Sequence, residues 1–197
     1  GLGSKVLQLR SVEFASKYNV PIRVLHAHKN QALGTLITKE EKKMEGALIS
    51  GIAFTKDEAE IMIKGVKDQP GVAAKILGPI GAAKIEIDMI VQNVGSNGLA
   101  DFTFTVSRNT LKNAIKVIEK NKKIMGYDSF DTKNNIVKVS LIGVGMRSHA
   151  GIASKMFKCL ARNKVNIRMI STSEIKISVV IDQKNLEIAV QALHNEF

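Results

Sequence analysis

The sequence predicts an α+β chain made of two nested ferredoxin-like βαββαβ units, and three observations carry that reading. The chain matches itself at a shift of 80 residues: "GVAAKILGPIGAAKIEIDMI" (71–90) falls on "GIASKMFKCLARNKVNIRMI" (151–170). Seven of the twenty positions are identical: Gly71/Gly151, Ala73/Ala153, Lys75/Lys155, Lys84/Lys164, Ile87/Ile167, Met89/Met169 and Ile90/Ile170. A repeat of this length seen twice means two small domains rather than a solenoid. Strand-period and helix-period segments also follow in the same order in both copies. Finally, 197 residues, 45% of them hydrophobic, suffice for two small cores.

Each copy opens on a strand. "EAEIMIKGV" and "NIVKVSLIGVG" alternate apolar and polar residues, as half-buried strands do. A turn and a helix follow; in the first copy Val72, Ile76, Leu77 and Ile80 share one face. Pro79 lies inside that helix and removes one backbone donor, which predicts a kink or a loosened last turn. Strand pairs come next: "IEIDMIVQNV" with "DFTFTVSR", then "VNIRMISTSE" with "IKISVVIDQ". "GSNGLA", rich in turn formers, joins the first pair, and almost nothing joins the second. "TLKNAIKVIEKN" and "NLEIAVQALHNEF" close the copies as helices. This order is the split arrangement of ferredoxin-like folds, which wants one more strand.

For the first copy "YDSFD" (Tyr127 to Asp131) supplies that strand, whereas the second ends at Phe197 directly after its helix. A spare strand, "ALISGIAF" (Ala47 to Phe54), lies upstream of the first copy. The expectation is therefore a nested pair in which Ala47–Phe54 completes the second unit. The corresponding divisions are 1–43, a separate N-terminal piece; 44–56, a strand of the second unit; 57–133, the first unit; and 134–197, the second. The N-terminal piece reads as an amphipathic helix ("GSKVLQLRSVEFASKYN"), a buried strand ("VPIRVLHA") and "GTLIT", then the charged linker "KEEKKMEG". About forty residues with one helix and one or two strands cannot build a core alone. They read as the end of a larger domain, and a first residue other than Met fits a start inside a longer polypeptide.

Several function classes are disfavoured. A net charge of +11 invites a nucleic-acid reading, but most lysines stand singly between apolar residues, as on solvated helix faces. No nucleic-acid partner is expected. No apolar stretch approaches the roughly 20 residues that cross a bilayer, so no membrane partner is expected either. The lone Cys159, amid apolar neighbours, reads as a reduced core thiol in a cytoplasmic protein. His26 and His28 in "HAH" put two imidazoles on one strand face without a third ligand, so no metal is expected. "GPIG" imitates a KH-domain loop but falls within a helix. No phosphate-binding loop and no nucleophile–base pair appears, so no catalytic residue is assigned.

The segment "DQPGVAAKIL" (68–77) carries the most chemistry. An amino-acid ligand presents a carboxylate and an ammonium on one carbon. The carboxylate suits the free N–H groups and positive dipole end at a helix start. Gly71 admits close approach, Pro70 fixes the turn without spending a donor, and Asp68 offers the ammonium a charged acceptor. Ile87 through Gln92 can add backbone carbonyls and an amide. Alternatively, Asp68 is a plain helix N-cap or turn residue.

"KVLQLRSVEFASKYNVPIRV", "GTLIT", "DQPGVAAKI", "IDMIVQNV", "DFTFTV", "VSLIGVGMRSHAG" and "NIRMISTSEIKISVVI" together resemble the C-terminal part of bacterial aspartate kinase over essentially the whole chain. The resemblance implies that the repeats are ACT domains, regulatory modules that bind amino acids. It implies feedback control, by L-lysine and/or L-threonine, of ATP-dependent aspartate phosphorylation. Residues 1–43 would be the tail of the amino-acid kinase domain plus linker. The catalytic body that uses ATP and Mg is not in this sequence, so the chain alone should be inactive and hold no cofactor. Met44 lies where an internal start for a separate regulatory subunit would fall.

By the same resemblance Asp68, Gln69, Pro70, Gly71, Val72, Ala73, Ile87, Asp88 and Gln92 form the effector pocket. A second ACT unit closes it with Asn166 and Ile167. The expected partners are the kinase domain or a catalytic subunit and a second copy, in a homodimer through the ACT domains. In the second copy Ser148, His149 and Ala150 replace Asp68, Gln69 and Pro70, with Gly151 kept and Arg147 close by. That loop lacks the acid, so a weaker site or an interface is expected there. Two rival readings use the same element order. One is an RNA-binding module stacking bases on Phe102 and Phe104; the other is a dimerisation module without ligand.

Overall fold

The computed structural model describes residues 6–28, 33–38, 49–143 and 151–197. They fall into two units, 1–47 and 48–197. In the first, helix α1 (Leu9–Lys17) precedes an antiparallel pair, β1 (Ile22–Val24) with β2 (Thr35–Ile37). The expected buried strand is three residues long, and Leu25 beside it is exposed. His26 and His28 lie beyond that strand in a turn, where the His28 amide donates to His26 Nδ1 at 3.1 Å. The linker and Met44 lie outside the described residues.

The second unit is a six-stranded sheet in the order β4-β5-β3-β6-β8-β7. Its strands are β3 (Gly51–Lys67), β4 (Ile87–Val94), β5 (Leu99–Val106), β6 (Ser129–Ile142), β7 (Ile167–Thr172) and β8 (Lys176–Asp182). Its helices are α2 (Val72–Ala82), α3 (Leu111–Lys120), α4 (Lys122–Met125), α5 (Ile152–Arg162) and α6 (Leu186–Glu196). What reads as two strands, 47–54 and 58–66, runs from Gly51 to Lys67 as one strand of 17 residues, while Ala47 and Leu48 lie outside the described residues. Its first half pairs with the end of β6 (Gly51↔Ile142, Phe54↔Val139) and so completes the second copy's sheet. Its second half pairs with β5 and with the start of β6 in the first copy. Each long strand therefore serves both copies, and the nesting is built into the sheet. The pairing has an internal two-fold: under the 80-residue shift, Ile52↔Leu141 becomes Ile61↔Thr132, which is also observed.

Two cores lie beneath the helices. Ile61, Ile63, Phe102 and Phe104 meet Ile76, Ile80 and Ile118 in one, and Val139, Leu141, Met156, Leu160 and Val179 meet in the other. Each such side chain contributes about 1.5–3 kcal/mol by leaving water. Because Phe102 and Phe104 are fully buried, no base-stacking platform exists on β5. Cys159 is buried in the second core. α2 runs three residues past Pro79 and, like α5, ends in a Schellman closure. The left-handed residues are Lys84 and Lys164, two of the repeat's identities. Ile85 N–H reaches Ile80 O at 3.2 Å, and Val165 N–H reaches Leu160 O at 2.9 Å. The "GPIG" run is helical, inside α2.

The other sheet face departs from the simple alternation. Glu58, Glu60, Thr105, Lys138 and Ser140 are buried there. The sheet curls enough that Met89 of β4 and Met169 of β7 join Ile136 and Val180 in a third cluster. Arg108 helps to tie the copies. Its guanidinium donates to Glu58 O, Ile136 O and Gln183 Oε1 at 3.1, 2.7 and 2.7 Å.

Candidate functional site

Asp68, Gln69, Pro70 and Gly71 form an exposed turn between β3 and α2. The turn is pinned by two bonds. Asp68 N–H donates to Gly98 O in the β4–β5 hairpin at 2.9 Å, and Val72 N–H donates to Gln69 O at 3.1 Å. Gly71 is the helix N-cap in a left-handed conformation, φ 88°. A Cβ there would touch nothing within 4 Å, so the backbone angle, not space, requires glycine. No side chain caps the helix. Among the described residues the amides of Ala73 and Ala74 meet no acceptor, and the Asp68 carboxylate meets no donor. The N-cap alternative for Asp68 therefore does not describe this loop, and an anion-seeking helix start lies three residues from an acid.

Strand register decides which other candidate residues join the loop. Val94 and Ala100 pair next to Val66, at the loop's end of the sheet. Gln92 pairs with Phe102, whose side chain faces the helices, so Gln92 stands on the helix side near that end. Val72 is buried beneath the turn and anchors α2 in the first core. Ile87 pairs with Val106 at the opposite end of β4, about 20 Å from Val94 at strand spacing, and packs in the core. Asp88 is not gathered at the loop either: its carboxylate accepts from Lys138 Nζ on the helix-free face. Asn166 and Ile167 begin the second copy's edge strand, on the far side of the sheet order from β4. No described contact brings them to the loop.

In the second copy, Gly151 repeats the left-handed N-cap with φ 106°. Ser148, His149 and Ala150 lie outside the described residues.

Behind β4 is an ionic cluster that composition gives no reason to expect. Lys138 Nζ donates to Glu58 Oε1 at 2.8 Å and to Asp88. Burial pushes the Glu58 carboxyl up, against the pull of Lys138. For Lys138 burial works downward, but its bonds to Asp88 and Glu58 outweigh it and hold the ammonium above the usual lysine range. Arg168 makes a two-pronged bond to Glu60 at 3.0 and 2.7 Å, which raises its own pKa against the opposing effect of burial. The sequence did carry a signal for these pairs. At the 80-residue shift, Glu58 aligns with Lys138 and Asp88 with Arg168, so both positions reverse charge.

Among the described residues no three His, Cys, Asp or Glu side chains are grouped to hold a metal, and no helix is long and apolar enough to cross a membrane.

Comparison with known proteins places this geometry. Residues 60–122 match the ACT domain family, and residues 139–197 match a second ACT domain description. The aspartokinase of Pseudomonas aeruginosa is 59% identical over 198 residues, covering 100% of this chain and 48% of that protein. The chain thus spans about half the length of the curated relatives it matches. A crystal structure of aspartokinase alpha and beta subunits superposes with TM-score 0.72 at 48% identity, over 76% of this chain and 98% of that one. The ligand-free regulatory subunit of aspartate kinase from Thermus thermophilus does so with TM-score 0.73 at 35% identity, over 77% and 99%. The chain belongs to the aspartokinase family and is a regulatory region of that enzyme built from two ACT domains.

Proposed function

We propose that this chain binds L-lysine, L-threonine or both and passes that signal to a kinase domain or catalytic subunit that phosphorylates aspartate with ATP and Mg. One observation carries the reading: uncapped amides at the start of α2 stand beside the unengaged carboxylate of Asp68, which suits the two charged groups of a free amino acid. Gln92 is on the same side of the sheet near the same end and can add an amide. Among the described residues the edge strands β4 and β7 each have one neighbour, which suits a homodimer in which a second copy brings Asn166 and Ile167 to the loop. Effector bound between two ACT domains inhibits only through unequal affinity for two arrangements, with couplings of about 1–3 kcal/mol typical.

Calorimetric titration of the chain with L-threonine and L-lysine, singly and together, tests this. Saturable heat that disappears in Asp68→Ala is expected. In the full-length enzyme the same substitution should relieve inhibition and leave uninhibited turnover intact. Silence with both amino acids would leave a dimerisation module without ligand.

A further inference from the structure

The charge reversals between the copies have a spatial consequence. Asp88 lies on edge strand β4 of the first ACT domain, and Lys138 lies on β6 in the second, with β5 and β3 between them in the sheet. Curling of the sheet closes that gap, so the ammonium holds Asp88 and the buried Glu58 together. Arg168, the shift mate of Asp88, lies on edge strand β7 and reaches Glu60 on β3 across β8 and β6. Each edge strand is thus clamped from behind by a central strand assigned to the other domain.

For β4 the clamp falls where the strand is otherwise weakest. The β4–β5 register shifts between Ile87 and Ile90, and Asp88 and Met89 sit inside that bulge. There the Met89 amide donates to the Thr105 hydroxyl, a side-chain acceptor, at 3.2 Å. Bulges bend a strand and re-aim its side chains. An edge strand with an interrupted ladder needs another constraint to keep one shape. The Lys138–Asp88 pair supplies one, and the cluster that Met89 shares with Ile136, Met169 and Val180 supplies another.

We propose that Lys138, which touches no part of the effector loop, is a positioning residue. It fixes the bulge of β4 and, through it, the register of the strand that presents Gln92 to the effector. The effector part of this statement rests on the functional reading above; the positioning part does not.

The decisive variant is Glu58→Leu/Lys138→Met, which removes the ammonium without leaving a buried carboxylate unpaired. Lys138→Arg keeps the cation, and Lys133→Met removes a different cation from the same strand. Amide hydrogen exchange of the ligand-free chain is the first readout. The double variant should speed exchange at Met89 and Ile90 about tenfold or more, with the α2 and α5 amides unchanged. Both single variants should resemble the parent. Titration with L-threonine and L-lysine is the second readout, with Kd expected to weaken at least about tenfold in the double variant and less than about threefold in Lys138→Arg. Unchanged β4 exchange overturns the proposal whatever the ligand does, and faster exchange with unchanged Kd overturns its effector part, the link from the β4 bulge to ligand binding. If the parent binds neither amino acid, the effector reading fails separately, and exchange alone judges whether Lys138 positions β4.

Discussion

In the first ACT domain the chain enters its helix through Asp68-Gln69-Pro70-Gly71, and in the second through Ser148-His149-Ala150-Gly151. Both glycines are left-handed N-caps, and both helices end in the same Schellman closure on a lysine. The two helices are therefore started and ended alike. What changes is charge: the acid before the first glycine has no counterpart before the second, and Glu58 and Asp88 face a reversed pair in Lys138 and Arg168. Duplication preserved the fold, while divergence separated the loops and made the two helix-free faces complementary to each other. A first-domain face set against its own copy in this geometry would bring Asp88 towards Glu58, and a second-domain face would bring Arg168 towards Lys138.

That complementarity is the feature whose removal should cost most. Glu60 has a side chain only 6% exposed and Arg168 one 26% exposed. Arg168→Glu would leave a buried carboxylate facing another. We expect a loss of about 3 kcal/mol, the low end for a broken buried pair because the arginine is partly solvated. Urea unfolding at constant slope measures it. Glu60→Leu/Arg168→Leu should instead stay within about 1 kcal/mol of the parent, because replacing both charges leaves none uncompensated. Equal losses in both variants would mean that packing, not charge, joins the two domains.

Next in size are the two glycines. A side chain at either position meets no atom within 4 Å, so Gly71→Ala and Gly151→Ala should each cost only the backbone strain, about 1–2 kcal/mol. Stability should not distinguish them. Effector affinity should, falling only in Gly71→Ala, since the acid is in the first loop. Loss of inhibition in Gly151→Ala alone would move the main site to the second domain.

Much of this was legible in the sequence, for identifiable reasons. The 80-residue match located both helices, both strand pairs and the need for an upstream strand, because periodicity and turn chemistry survive in both copies. The continuity of β3 was not legible. "TKDE" (55–58) is polar and reads as a break between strands, yet it is where the strand passes from one domain's sheet to the other through two register shifts. The burial of Glu58, Glu60 and Lys138 was hidden for a related reason. Alternation tells which residues face the helices, but it cannot tell whether the opposite face meets water or a curled edge. In the N-terminal piece, β1 reads as buried because apolar residues surround Arg23, and among the described residues little covers it. At the candidate site the loop was legible as a helix start with an acid. The position of Asp88 was not, because the bulge between Ile87 and Ile90 re-aims it.

The smallest expected effect separates the two kinds of ion pair in this sheet. Lys133 and Asp182 meet at 2.9 Å with both side chains 31% exposed. The bond from Lys133 holds the Asp182 carboxyl below its ordinary range, against the opposing effect of burial, with Arg168 and Lys184 adding to the lowering. A carboxylate whose folded pKa is depressed gives stability that is present above its unfolded pKa and lost as pH falls through the folded one. Glu58 behaves oppositely: burial raises it, so its contribution is present below its unfolded pKa and lost as pH rises through the folded value. Lys133→Met should therefore cost no more than about 1 kcal/mol near pH 6, discounted for exposure, and progressively less as pH falls through the depressed folded pKa of Asp182. Urea midpoints of parent and variant should converge on acidification. If the gap stayed constant, Lys133 would act through its aliphatic stem and not its charge. The charge of the surface pair would then contribute nothing, and the electrostatic coupling between the two domains would rest on the buried clamps at Glu58 and Glu60 among the described pairs.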